Sequence, residues 1–251
     1  MAKYPWLLAG LVLASYFVGN INFALIISKL KKSDVRKLGS GNPGTLNMSR
    51  NFGLKIGLLT LFLDMLKGAI PTLVGYFAFY GVFVGEGTPQ FYLPDLAKFA
   101  CGFAAVLGHI YPVFLKFRGG KGIASTIGVF LVAMSVSGVW VVVGIMSMVA
   151  AVLFIYFTEY GAMGSFIAIT PPAIAESIRF FFAYRDNNHI VLYYIAANML
   201  IFLICFFTWF AHRKNIVRML AGEEHPTSIR EMLMKYKAKK RTQKEQEKKS
   251  A

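Results

Sequence analysis

Three cations and three glycines fall within seven positions, in the run Lys116-Phe117-Arg118-Gly119-Gly120-Lys121-Gly122, just before an apolar stretch that begins at Ile123. That combination suits an anion. Glycines let backbone N–H groups come close, the N-terminus of a helix adds partial positive charge, and the cations neutralise the ligand. The spacing is not that of a Walker A loop, which requires Gly five residues before the Gly-Lys pair and Ser or Thr after it. Here position 115 is Leu and position 122 is Gly. Nucleotide hydrolysis is therefore disfavoured, while phosphate binding is not.

Three further polar clusters accompany this segment. Ser40-Gly41-Asn42-Pro43-Gly44-Thr45-Leu46-Asn47-Met48-Ser49-Arg50 has the composition of a turn but carries an unusual supply of donors. Arg50 can grip a phosphate with a planar fork. Gly108-His109-Ile110-Tyr111-Pro112 leads into the glycine-rich run, and His109 reads either as a packed helix histidine or as a functional one at a membrane. His212 and Asn215 lie three apart in His212-Arg213-Lys214-Asn215, so a helix puts them on one face, although charges just past an apolar helix can also serve only to anchor it. Asp64 and Lys67, also three apart, sit within an apolar run and read as a structural ion pair.

The elements that position these clusters are membrane helices. The chain has 251 residues, 56% hydrophobic and 16% charged. Residues 5–28, 123–158 and 190–211 contain no charge, and about 20 apolar helical residues cross a bilayer core. Seven hydrophobic passes are expected, at about 5–28, 53–80, 97–115, 122–136, 138–158, 162–183 and 190–211. Ser135, Ser137 and Gly138 form the expected turn between the fourth and fifth, with one very long helix as the alternative. The predicted fold is an all-α polytopic membrane bundle. Of the 27 Lys and Arg residues, 22 fall after the first, third and seventh passes. The opposite loops are expected to hold Lys3, Lys98, Arg179 and Arg185. The positive-inside rule then predicts an N-terminus outside and a C-terminus in the cytoplasm.

Cys101 and Cys205 lie in apolar runs and suggest neither a disulfide framework nor a metal site. Residues 1–225 read as one membrane domain, and 226–251 as a solvated, partly helical tail with nine cations and three acids. Contact with anionic headgroups is the sharper reading of that tail. Nucleic acid is not an expected partner, because Tyr236 is the single aromatic among those cations.

Taken together, SGNPGTLNMSR, GHIYPVFLKFRGGKGIAS and HRKNIVRMLAGEE resemble the motifs of the bacterial acyl-phosphate-dependent glycerol-3-phosphate acyltransferases, in order and over nearly the whole chain to Glu224. The chain departs from the family pattern in placing Thr45-Leu46 where Ala-Thr is usual, and Glu159 where a cation often stands. The resemblance implies transfer of an acyl group from acyl phosphate to the 1-hydroxyl of glycerol 3-phosphate. The products are lysophosphatidic acid and phosphate, at the cytoplasmic face of the bacterial inner membrane. Ser40, Arg50, Lys121, His212 and Asn215 are then the expected catalytic set. Asn42, Gly44, Thr45, Asn47, His109, Gly119, Gly120, Gly122 and Ser125 are expected to bind substrate. Asp64, Lys67 and Glu224 are expected to be structural. The Gly119-Gly120 turn and the N-terminus of the next helix are expected to hold the acyl phosphate and stabilise its developing oxyanion. No cofactor or metal is expected, and no acid–base pair is legible. An organic-phosphate transporter is the rival class, but it predicts a midplane site rather than polar clusters on one face.

Overall fold

The computed structural model describes residues 3–138, 140–224 and 226–250. Helices α1 (Lys3–Gly19) and α2 (Phe23–Leu30) form the first pass, α3 (Thr45–Phe52) closes the loop after it, and α4 (Leu54–Ala78) returns. A short antiparallel hairpin, β1 (Phe83–Val84) with β2 (Phe91–Tyr92), pairs Phe83 with Tyr92. Helices α5 (Leu93–Ile110), α6 (Ile123–Ser135), α7 (Val141–Thr158), α8 (Gly161–Tyr184) and α9 (Val191–Ala211) complete the bundle. Helices α10 (Arg213–Leu220) and α11 (Ile229–Ser250) follow it.

Among the described residues, six segments are long and apolar enough to cross a bilayer: Tyr4–Leu30, Leu54–Ala78, Leu93–Leu115, Val141–Thr158, Gly161–Tyr184 and Asn188–Ala211. The seventh expected pass is present as α6 but is short. Its 13 residues rise about 20 Å, against a hydrocarbon core of about 30 Å. Packing explains how so short a helix is tolerated. It lies among α4, α5, α7, α8 and α9, and Val129, Phe130, Ala133 and Met134 are buried. Protein also meets its C-terminal end, where Lys98 Nζ donates to the Ala133 carbonyl (3.3 Å) and to Ser137 Oγ (3.1 Å).

The first pass is interrupted at Asn20–Asn22, within the run expected as one helix. A break in lipid must have its freed backbone groups satisfied by protein. The Asn22 side chain accepts from the Leu25 N–H and starts α2, and Lys67 Nζ donates to the Ile21 carbonyl at 2.8 Å. Lys67 Nζ also lies 2.8 Å from Asp64 Oδ1, both groups buried. The expected ion pair is therefore present, and it also holds the broken helix in place.

At the far ends of α5 and α8, Asp95, Lys98, Glu176, Arg179 and Tyr184 form a buried network. Lys98 Nζ is 2.9 Å from Asp95 and 3.8 Å from Glu176. Arg179 donates to both carboxylates, at 2.9 Å and 3.0 Å, and the Tyr184 hydroxyl donates to Asp95 at 2.8 Å. Lys98 and Arg179 are thus inside helices and paired, not in loops as expected. Each has one carboxylate three residues away, and the two pairs meet through the Arg179–Asp95 contact across 84 residues.

Candidate active site

The first polar cluster is organised by one asparagine. Asn47 is buried and donates to the carbonyls of Val35 (3.2 Å) and Leu38 (3.0 Å). Its Oδ1 accepts from the Ser40 N–H and from Asn51. Both ends of the amide are thus engaged in shaping the loop, so Asn47 acts here as scaffold rather than as a free ligand. Gly44 caps α3, and Ser40, Asn42 and Thr45 lie at or near the surface along the loop. Arg50, in the last turn of α3, is exposed and donates Nη2–H to the Pro226 carbonyl and to Thr227 Oγ1, each at 3.1 Å.

The glycine turn has a different basis from the one expected. The Gly119 N–H donates to the Ile110 carbonyl and the Gly120 N–H to the His109 carbonyl, each at 3.1 Å. Those two donors are occupied by the backbone and do not face an anion. The glycines serve close packing instead. A Cβ on Gly120 would meet His109 Nε2 at 2.2 Å, and one on Gly119 would meet the His109 carbonyl oxygen at 2.0 Å. His109 is buried beneath the turn, with Nδ1 3.9 Å from Asp64 Oδ1, and supports the turn from below. Gly122, at φ +86°, turns the chain into α6, and Ser125 Oγ donates back to the Gly122 carbonyl. The first N–H groups of α6 precede its first closed turn, Thr126 N–H to Gly122 O, and have no intrahelical acceptor. Unlike those of Gly119 and Gly120, they have no backbone acceptor among the described residues.

Lys121 connects this turn to the last helices. Its ammonium donates to Asn215 Oδ1. The Asn215 amide donates to Glu224 Oε1 (2.7 Å), and Arg218 Nε donates to Glu224 Oε2 (3.1 Å). Glu224 thus orients both Asn215 and Arg218. His212 caps α9, where its Nδ1 lies 2.9 Å from the Thr208 carbonyl. A carbonyl only accepts, so Nδ1 carries the proton, and Nε2 of the neutral ring is left with its lone pair. The Phe166 ring packs edge-on against His212, with centroids 5.5 Å apart.

The electrostatics joins these parts. Burial pushes the Lys121 ammonium down to about 8; Arg218 and Arg50 lower it as well, and Glu224 opposes them. Burial, then the charge on Lys121, holds His212 down at about 4, so it is neutral near pH 7. Arg50, Lys121, His212, Asn215, Arg218 and Glu224 therefore share one site. Three of them are cations and one is an acid. Asn47, His109 and Ser125 support it through backbone contacts.

The chain matches the family model described as glycerol-3-phosphate acyltransferase over residues 9–222. The chain belongs to this family. The glycerol-3-phosphate acyltransferase of Aquifex aeolicus (strain VF5) is 35% identical over 216 residues, covering 86% of this chain and 96% of that one. The acyltransferase of Mycoplasmopsis pulmonis is 35% identical over 219 residues, covering 84% and 89%. Among solved structures, the glycerol 3-phosphate form of PlsY, an integral membrane glycerol 3-phosphate acyltransferase, superposes with a TM-score of 0.69 at 33% identity. It covers 90% of this chain and 98% of its own. The lysophosphatidic acid form gives 0.68 at 32%. The present chain is thus an integral membrane acyltransferase of phospholipid synthesis.

In this acyltransferase, sequence reasoning missed Thr208, Thr227 and Phe166. Thr208 and Phe166 lie within apolar helices with nothing local to mark them. Thr227 lies beyond the last motif, past the boundary expected at 225/226. His225, at that boundary, is outside the described residues. Thr227 itself is buried against the body.

Proposed function

We propose that the acyltransferase uses an acyl phosphate as donor and the 1-hydroxyl of glycerol 3-phosphate as acceptor, at the cytoplasmic face of the bacterial inner membrane. The observation that carries this reading is the unbalanced charge of the site, with Arg50, Lys121 and Arg218 set against Glu224. Two phosphates near neutral pH supply the missing negative charge. The glycerol 3-phosphate and lysophosphatidic acid forms of the related PlsY support this choice of acceptor and product. Arg50 and Lys121, with Ser40, hold the acceptor's phosphate. Asn42, Gly44 and Thr45 line its loop, and Asn215 keeps Lys121 aimed. The open N–H groups at Gly122 and the start of α6 face the donor phosphate.

An apolar groove of about 410 Å³ runs between α8 and α9, lined by Ile174, Ile178, Phe181, Ile201, Phe202 and Trp209. Trp209 packs on Phe166, which packs on His212. An acyl chain in this groove has its reactive end directed towards the cations. The glycerol hydroxyl oxygen attacks the acyl carbon, the carbon–oxygen bond to phosphate breaks, and inorganic phosphate leaves. The hydroxyl proton passes to a phosphate oxygen of the donor. His212, held near pKa 4, is a weaker base than a phosphate with a second pKa near 6. Among the described residues, no carboxylate hydrogen-bonds to its ring.

The orientation is read from charge, since 22 of the 27 Lys and Arg residues, Arg50, Lys121 and Arg218 among them, fall after the first, third and seventh passes. The test is direct. Purified protein with acyl phosphate and glycerol 3-phosphate yields lysophosphatidic acid and phosphate in equal amounts. If acyl-CoA supports turnover and acyl phosphate does not, the donor assignment fails.

A further inference from the structure

Beyond residue 222, where the family match ends, the chain re-enters the site. Pro226 and Thr227 lie against Arg50. The Pro226 carbonyl and Thr227 Oγ1 both accept from Arg50 Nη2, each at 3.1 Å. Thr227 is itself fixed in three ways. It is buried, its N–H donates at 2.8 Å to the carbonyl of Glu159, and its side chain packs against Gly161. A Cβ on Gly161 would meet Thr227 Oγ1 at 2.7 Å. Glu159 stands in the left-handed region, φ +61°, at the end of α7, and this turn presents its carbonyl to the Thr227 N–H. A hydroxyl anchored at the α7–α8 turn therefore meets a guanidinium carried by α3.

We infer that Thr227 is a positioning residue for the acceptor's phosphate: it braces Arg50, although it lies outside the segment that the family model matches. An unbraced arginine on a short surface helix samples many rotamers, and ordering it on binding costs affinity. The guanidinium has five N–H donors in a fixed fork. With Nη2 held by Thr227 and Pro226, the plane of the guanidinium is set, and among the described residues no acceptor takes the Nε or Nη1 donors, which leaves them for phosphate oxygens. Because the hydroxyl touches Arg50 and not the reacting atoms, its loss acts on binding of the acceptor and leaves the chemical step alone. This inference rests on the reading that Arg50 binds the phosphate of glycerol 3-phosphate.

The experiment is a double-mutant cycle on the full-length protein, with KM for glycerol 3-phosphate and kcat measured separately for each variant. Thr227→Val removes the hydroxyl at nearly constant shape. It raises KM for glycerol 3-phosphate about fivefold with kcat little changed, as expected for losing one hydrogen bond to a charged group while the Pro226 carbonyl remains. Thr227→Ser restores the hydroxyl and brings KM back towards that of the unmodified protein. In an Arg50→Ala background, Thr227→Val has no further effect. Thermal unfolding in detergent accompanies each variant, and where Thr227→Val unfolds, Thr227→Ala takes its place in the cycle. An unchanged KM in Thr227→Val alongside an impaired Arg50→Ala overturns the brace and leaves the phosphate site standing. A Thr227→Val effect that persists without Arg50 also overturns it. If Arg50→Ala leaves KM unchanged, the phosphate reading falls and the brace falls with it.

Discussion

The two ends of the bundle treat charge in opposite ways. At the Asp95 end, Lys98 and Arg179 meet Asp95 and Glu176 one for one, with the Tyr184 hydroxyl donating to Asp95. At the Lys121 end, Arg50, Lys121 and Arg218 face Glu224, and the glycine turn opens beside them. Burying unpaired charge is expensive, so a balanced cluster holds helices together without needing a ligand. A cluster left short of negative charge at an accessible edge is suited to receive it from a substrate. The difference separates scaffold from site better than the number of charged residues does.

The largest expected effect falls where the imbalance is greatest. Arg50→Ala or Lys121→Met lowers kcat/KM for glycerol 3-phosphate by about 10²- to 10³-fold, in line with the roughly 2–5 kcal/mol lost when one partner of a hydrogen-bonded charge pair is truncated. The unfolding midpoint in detergent stays near that of the unmodified protein. A variant that keeps full activity breaks the contrast between the ends.

Lys98→Met gives the opposite signature. It strands Asp95 and Glu176 in the interior, and breaking a buried pair this way costs about 3–5 kcal/mol of stability. It also removes the donor that satisfies the end of α6. The unfolding midpoint drops, while KM for glycerol 3-phosphate of the protein that remains folded is unchanged. A selective KM defect would show that this end communicates with the site.

These two ends were not equally legible in the sequence. The apolar passes, the Asp64–Lys67 pair and the motif residues around Lys121 and His212 are marked locally, by runs of hydropathy and short spacings. The bond from Lys121 to Asn215 spans 94 residues; the family resemblance puts both in one set, but the contact itself is not marked in the sequence. The Asp95–Arg179 contact spans 84 residues and joins two local pairs, Asp95–Lys98 and Glu176–Arg179; their spacing is short, but that the two pairs meet is not marked in the sequence. The glycine run does form a turn, but on a different physical basis from the one the sequence suggests. Glycines do allow N–H groups to approach an anion, yet Gly119 and Gly120 are there to let His109 pack beneath them. The break at Asn20–Asn22 was hidden because asparagine and isoleucine do not interrupt an uncharged run.

A smaller effect comes with pH. Lys121, held at about 8, is largely protonated at pH 7 and loses its charge as pH rises through 8. Its contribution to phosphate binding is present below that value and disappears above it. Phosphate monoesters have already lost their second proton near pH 6, so the substrate does not change over this window. KM for glycerol 3-phosphate therefore rises up to about tenfold between pH 7 and pH 9, following the fraction of Lys121 that stays charged. Glu224 raises the Lys121 pKa, so Glu224→Gln shifts the same rise to lower pH. A flat profile means Lys121 is not part of the positive excess.

The smallest effect concerns His212, which carries no charge near pH 7. Its Nδ1–H is directed at the Thr208 carbonyl and its Nε2 keeps a lone pair, so by geometry alone it could accept a proton. A general base typically contributes about 10²- to 10⁴-fold to turnover. If the leaving phosphate takes the proton, His212 only helps to orient the hydroxyl, and His212→Gln lowers kcat by less than about tenfold. Loss of all turnover, with acceptor affinity and folding intact, makes His212 the base. The positive end would then supply proton transfer as well as charge. Retained turnover leaves that end with binding and orientation, and the phosphate brought by the donor completes the chemistry.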